Sequence, residues 1–127
     1  MARQRNTRQR EVLWEALKES GRPVSVQELH ELGAQQLDGL GIATVYRAVN
    51  SFLEEKLIEE VEIPGHAVRY ELTGLPHHHH FHCTACDKVF DMKDCVGGVS
   101  RLAPDGFEVE ENYILLSGKC PECTGTA

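Results

Sequence analysis

His77-His78-His79-His80-Phe81-His82-Cys83-Thr84-Ala85-Cys86 gathers five of the chain's seven histidines and two of its five cysteines into ten residues. Downstream, Cys120-Pro121-Glu122-Cys123 answers it with a second C-x-x-C pair. Four thiolates in two such pairs are the ligand set of a closed tetrahedral zinc site. The gap is longer than in the commonest short zinc modules, so a folded segment lies between the two knuckles. The competing reading is a redox dithiol or unrelated buried thiols. Each pair, however, sits in a turn-like context (Thr-Ala, Pro-Glu), and neither opens the βαβ unit expected of a redox motif. Shared structural zinc on Cys83, Cys86, Cys120 and Cys123 is the expectation.

The histidines form a separate feature. In a strand, alternate residues face alternate sides. His78, His80 and His82 would then share one face, and His77, His79 and Phe81 the other. Two or three imidazoles on one strand face can converge on one metal. The bland alternative is a solvated polar run or a tag remnant, but the run passes without a linker into Phe81 and the cysteine knuckle.

The whole chain bounds the class. Its 127 residues make one or two small domains, and 41% apolar content allows a core. No apolar run reaches bilayer-spanning length, so no membrane role is expected. Met1-Ala2-Arg3-Gln4-Arg5 is basic, but no apolar segment follows to make a secretory signal. Cysteines without an export signal read as thiolates in a reducing, cytoplasmic setting. Net charge is −7, which alone argues against nucleic acid. Its distribution softens that: residues 1–60 sum to −2, residues 61–127 to −5, and the first ten residues carry four arginines and no acid. A basic leading arm and an acidic rear fit a protein that meets DNA with one end.

Hydrophobic spacing predicts helices over 7–20, capped by Thr7 with Val12, Leu13, Ala16 and Leu17 inward, and after the capping box Ser25-Val26-Gln27-Glu28. A third runs over 43–56, with Ile42, Val45, Val49, Phe52 and Leu53 as its core face. Tyr46, Arg47 and Asn50 lie on the opposite face within one turn. Three short helices with glycine-containing turns make a helix-turn-helix pattern, whose third helix would enter a major groove. Segments 57–63 and 67–72, split by Pro64-Gly65-His66, read as a β-hairpin and hence a wing. Thr73-Gly74-Leu75-Pro76 is a linker. The second part reads as the histidine strand, a strand near 88–92, a weak helix over 93–102 with Gly97 and Gly98 inside it, and a long strand over 107–117 with Tyr113 inward. The expected fold is therefore α+β. An N-terminal winged helix over 1–73 is followed, after a hinge at 74–76, by a small metal-binding α/β domain over 77–127.

Several of these pieces together resemble the ferric uptake regulator superfamily of bacterial metal-sensing repressors. They are Gly41-Ile42-Ala43-Thr44-Val45-Tyr46-Arg47, Tyr70-Glu71-Leu72, the histidine strand with Cys83 and Cys86, and Gly118-Lys119-Cys120-Pro121-Glu122-Cys123. They occur in the family's order across nearly the whole chain. The resemblance implies a homodimer, joined through its C-terminal domain, that binds an inverted-repeat double-stranded DNA operator when a regulatory Zn2+, Fe2+ or Mn2+ is bound. It assigns Tyr46 and Arg47 to DNA contact, with Thr44 and Asn50 beside them. Arg5 is assigned to the minor groove or phosphate, and Glu71, His78 and His80 to the regulatory metal. Many members carry a ligand histidine in the turn where this chain has Arg22-Pro23. His30 and His66 are candidate substitutes, and His77, His79, His82, Asp91 and Cys95 are further candidate ligands. An additional site of some relatives uses positions that here look like Gly97-Gly98 and Asn112, so it is not expected. A peroxide sensor of the same fold is the nearest alternative. A zinc enzyme, with no H-E-x-x-H helix to support it, and a metal buffer leave Tyr46 and Arg47 unexplained.

Overall fold

The computed structural model describes residues 2–92 and 97–125, with side chains from residue 7 onward. Among these residues the element order is α1 (Ala2–Ser20), α2 (Val26–Ala34), α3 (Ile42–Glu54), β1 (Ile58–Val61), β2 (Arg69–Leu72), β3 (His79–Cys83), β4 (Val89–Met92), a 3-10 turn (Val99–Leu102), β5 (Leu115–Gly118) and α4 (Pro121–Thr124). The chain divides into two compact units, 1–74 and 75–127.

The first unit is a winged helix. Its core takes Leu13 and Leu17 from α1, Leu29 from α2, and Val45, Val49 and Phe52 from α3. Each such side chain contributes about 1.5–3 kcal/mol on full burial. Helix α2 begins where the sequence signals it. The Ser25 hydroxyl accepts from the Glu28 amide at 3.1 Å, and the Glu28 carboxylate accepts from the Ser25 amide at 3.2 Å. That reciprocal pair satisfies two amides the helix cannot. Helix α1 differs from expectation. It runs from Ala2, so Thr7 is an interior residue and not its cap. Residues 2–6 contain good helix formers and no stop signal, so nothing ends the helix at Thr7. Ile42 also differs: it is 41% exposed. Leu40, buried in the turn before α3, fills the space beside α2 instead.

Strands β1 and β2 pair antiparallel, with Ile58 opposite Leu72 and Val61 opposite Arg69. The far edge of β2 is tied to the segment before α2. The Val24 amide donates to the Tyr70 carbonyl at 3.0 Å, and the Tyr70 amide donates back at 2.8 Å. Arg69 is 1% exposed, with its Nε 3.6 Å from Glu28 Oε1. Glu28 Oε2 also meets Arg22 Nη2 at 2.6 Å. A buried guanidinium must be paired, so the carboxylate that caps α2 also secures the wing.

In the second unit β3 lies between two partners of opposite sense. It pairs antiparallel with β4, His80 opposite Asp91, and parallel with β5, His80 opposite Leu115 and Cys83 opposite Gly118. A side chain at Gly118 would meet the Phe81 ring at 3.2 Å, so glycine permits this close approach. The expected long strand over 107–117 is shorter, only Leu115–Gly118. Strand hydrogen bonding requires a partner, and Glu108, Glu110 and Glu111 populate the unpaired segment. Of the expected helix over 93–102, positions 93–96 lie outside the described residues, and the rest holds the 3-10 turn Val99–Leu102. It is preceded by Gly98 at φ 86, a left-handed conformation that interrupts a helix. Cys95 lies outside the described residues.

Gly33 on α2 faces the core closely. A Cβ there would sit 2.6 Å from Leu40 Cδ2 and 2.9 Å from Leu13 Cδ2. Both leucines are buried, so neither has free space to move into. Gly33→Ala should lower stability by about 1–2 kcal/mol, because overpacking outweighs the gain in helix propensity. A denaturant melt followed by far-UV dichroism reads this out, and an unchanged midpoint would contradict the packing.

Candidate metal centres and nucleic-acid interface

The parallel register of β3 and β5 builds the first centre. Cys83 ends β3 opposite Gly118, and Cys120 follows two residues later. The Thr84 amide donates to the Gly118 carbonyl at 2.7 Å, locking the two ends together. After Cys83 the chain turns back on itself: the Cys83 amide donates to the Lys88 carbonyl at 2.9 Å, and the Asp87 amide to the Cys83 carbonyl at 2.8 Å. Cys120 stands ahead of α4, with Pro121 at the first helical position, and that single turn carries Cys123 back beside it. The sulfurs of Cys83, Cys86, Cys120 and Cys123 lie within 4.8 Å of one another.

Electrostatics fit the set to a cation. The Cys83 sulfur accepts from the Cys86 and Cys120 amides, each at 3.4 Å. Those bonds bring its pKa down to about 6, so it is a thiolate at neutral pH. Burial pushes Cys86 up, and hydrogen bonding to the neighbouring Cys120 and Cys83 sulfurs pushes Cys123 up to about 12. Sulfurs this close cannot all ionise unless a cation replaces the shared protons. Four thiolates holding Zn2+ satisfy that requirement and close the site.

The second cluster takes His78, just ahead of β3, His80 on β3 and Asp91 on β4. His78 Nδ1 is 2.7 Å from the Pro76 carbonyl. A carbonyl only accepts, so Nδ1 donates and the neutral ring leaves Nε2 bare. That Nε2 lies 3.5 Å from Asp91 Oδ1, and His80 Nε2 lies 3.3 Å from the same oxygen. The two rings are 4.8 Å apart at 84°. A bare imidazole nitrogen facing a carboxylate needs a proton or a metal ion between them. Imidazole with carboxylate suits zinc, iron or manganese. His80 Nδ1 is held in turn by the Tyr113 hydroxyl at 2.8 Å.

His82 lies with His78 and His80 in strand alternation, but its Nε2 meets Asp87 Oδ1 at 2.7 Å. His79 is buried on the other face, where its Nδ1 accepts from the Ile114 amide at 3.1 Å. Burial first, then the neighbouring histidines, pull its pKa below the usual histidine value. His77 stacks edge-on against it, 4.6 Å away. His30 bonds the Leu40 carbonyl at 2.7 Å, a contact that fastens α2 to the turn before α3. His66 is exposed in the wing turn, and Glu71 stands on β2 opposite Glu59. Sequence patterning missed two polar partners, Asp87 for His82 and Tyr113 for His80. Asp87 stands five residues beyond His82, within reach of a tight turn, a signal a local reading could have used.

On α3, Tyr46 is 53% exposed, and Arg47 and Asn50 are exposed. Arg47 donates to the Thr44 hydroxyl at 2.9 Å. This polar face is turned away from Val45, Val49 and Phe52. Arg5 lies on α1, its side chain outside the described residues.

A winged helix followed by an α/β unit with a four-cysteine and a histidine-carboxylate centre is the architecture of a metal-responsive transcriptional regulator. The chain belongs to the ferric uptake regulator family, whose sequence model matches residues 2–114. Members are regulators and not enzymes, and this chain is a metal-responsive DNA-binding regulator of that kind. Among relatives, the ferric uptake regulation protein of Campylobacter jejuni is 31% identical over 124 residues, covering 92% of this chain and 78% of that protein. Among solved structures, a zinc-bound manganese uptake regulator superposes with a TM-score of 0.77 at 25% identity, covering 88% of this chain and 87% of that one. The Helicobacter pylori ferric uptake regulator, described as having three functional metal-binding sites, superposes at 0.68 with 24% identity, covering 92% and 80%. No helix of the described residues is long and apolar enough to cross a membrane.

Zinc at the cysteine centre would contribute folding free energy directly, because the site is assembled only in the folded chain. Cys120→Ser should lose the tightly bound zinc and unfold or aggregate the unit over 75–127. Metal analysis alongside a thermal melt tests this, and full zinc content with an unchanged melt would refute it.

Proposed function

We propose that the protein is a homodimeric cytoplasmic repressor that binds an inverted-repeat DNA operator when a divalent metal occupies the histidine centre. The convergence of His78, His80 and Asp91 beside a separate four-cysteine centre carries this reading. One centre, on Cys83, Cys86, Cys120 and Cys123, holds structural zinc. The other, on His78, His80 and Asp91, is the sensor. A sensor metal shifts a conformational equilibrium only by its differential affinity for the two states.

Tyr46, Arg47, Thr44 and Asn50 on α3 contact the major groove, and Arg5 on α1 contacts the minor groove or phosphate. In a dimer, the bound metal would set the spacing of two recognition helices to match two half-sites. Exposed apolar side chains in the second unit support the dimer: Leu102, Phe107, Val109 and Leu116 are 86%, 69%, 43% and 50% exposed. Imidazole and carboxylate donors leave zinc, iron and manganese as candidate signals, and thiolate at this centre is absent from the proposed set.

The reading is tested by gel-shift titration against the gene's own promoter region with zinc, iron or manganese and without metal. Binding that no added metal alters would overturn it. Arg47→Ala should weaken operator binding by about 1–3 kcal/mol if the side chain reads a base. A variant titrating like the parent would remove α3 as the reading helix. His80→Ala should keep the structural zinc and the fold but lose the metal dependence of DNA binding. Metal-dependent binding that persists in this variant would remove His80 from the sensor.

A further inference from the structure

We propose that Tyr113 is a positioning residue of the sensor centre, its hydroxyl setting which nitrogen of His80 faces the metal. The inference rests on the reading of His78, His80 and Asp91 as that centre. The two histidines solve one problem in different ways. His78 Nδ1 faces the Pro76 carbonyl, which can only accept, so its Nε2 is permanently presented to Asp91. His80 Nδ1 faces a phenol hydroxyl, which can either donate or accept. With metal at Nε2, the His80 proton resides on Nδ1 and the Tyr113 oxygen accepts it. With no metal, Tyr113 can donate to Nδ1, which leaves the ring proton on Nε2, 3.3 Å from Asp91 Oδ1. One hydroxyl thus serves both states, and its rotation accompanies metal capture.

The phenol is held for this role by its neighbour in the chain. The Ile114 carbonyl accepts from the His80 amide at 3.1 Å, and the Ile114 amide donates to His79 Nδ1 at 3.1 Å. These bonds fix the backbone beside Tyr113 on the histidine strand. The Tyr113 ring then sits 5.6 Å from the His80 ring. It is nonetheless 54% exposed, so packing alone does not account for its place. Partners of this kind orient a ligating imidazole and raise its basicity, and removing one typically costs metal affinity about 10–100-fold.

The test uses the full chain with its structural zinc, titrated with zinc against a competing chelator. Tyr113→Phe, which keeps the ring and deletes the hydroxyl, should weaken uptake at the second centre by about 10–100-fold. The structural zinc and the thermal melt should stay unchanged. Nitrogen-15 spectra of the zinc-loaded parent should show His80 bound through Nε2, with a hydrogen-bonded Nδ1–H that exchanges slowly with water and quickens in the Phe variant. A parent that takes up no second metal overturns the reading of the centre itself, and this inference with it. If the parent does take up metal, superimposable titrations of parent and variant overturn this inference alone. So does a zinc-loaded parent whose His80 binds through Nδ1, a result that needs no variant.

Discussion

The second unit depends on the parallel pairing of β3 with β5. Parallel strands cannot be joined by a tight turn, so the chain must leave β3, travel through β4 and the segment beyond it, and return. The return sets Cys83 opposite Gly118 and brings Cys120 beside a cysteine 37 positions earlier. The same register places Ile114 and Tyr113 against His79 and His80. Cysteine centre and histidine centre are therefore two consequences of one strand alignment. Loss of the cysteine centre would release β5 and with it the residue that orients His80.

Both centres follow one electrostatic rule. Each collects lone pairs that would repel one another without a positive charge among them. At the cysteines, amide N–H groups pull the Cys83 pKa down, while burial pushes Cys86 up and neighbouring sulfurs push Cys123 up. At the histidines, a backbone carbonyl commits His78 to face a carboxylate with its bare nitrogen. The difference is in softness and closure. Sulfur donors from two knuckles make a closed site suited to permanent zinc. Imidazole and carboxylate donors make a harder one, which holds zinc, iron or manganese with less preference among them.

In the first unit, rigidity serves the face that carries Tyr46 and Arg47. The carboxylate of Glu28 caps α2, pairs with Arg22 and lies beside the buried Arg69 of the wing. Backbone bonds between Val24 and Tyr70 tie the same two elements. Helix α3 itself rests on a continuous apolar core through Val45, Val49 and Phe52.

Much of this was legible in the residues alone. Two C-x-x-C pairs, alternation through His77–His82, apolar spacing on α3 and the Ser25–Glu28 box are local signals, and local chemistry determines their meaning. Strand alternation put His78 and His80 on one face because the side-chain period of a strand is two. What local pattern could not decide was contact between distant segments. His82, on the same face by alternation, bonds Asp87 across a turn. Ile42 yields its core place to Leu40, and Phe107–Ile114 stays irregular for want of a partner strand among the described residues. Tyr113, apolar-looking in its expected strand, instead turns its hydroxyl to His80. Periodicity reports which face a side chain occupies. Which group stands opposite it depends on the pairing of strands far apart in the chain, and only the tertiary fold specifies that.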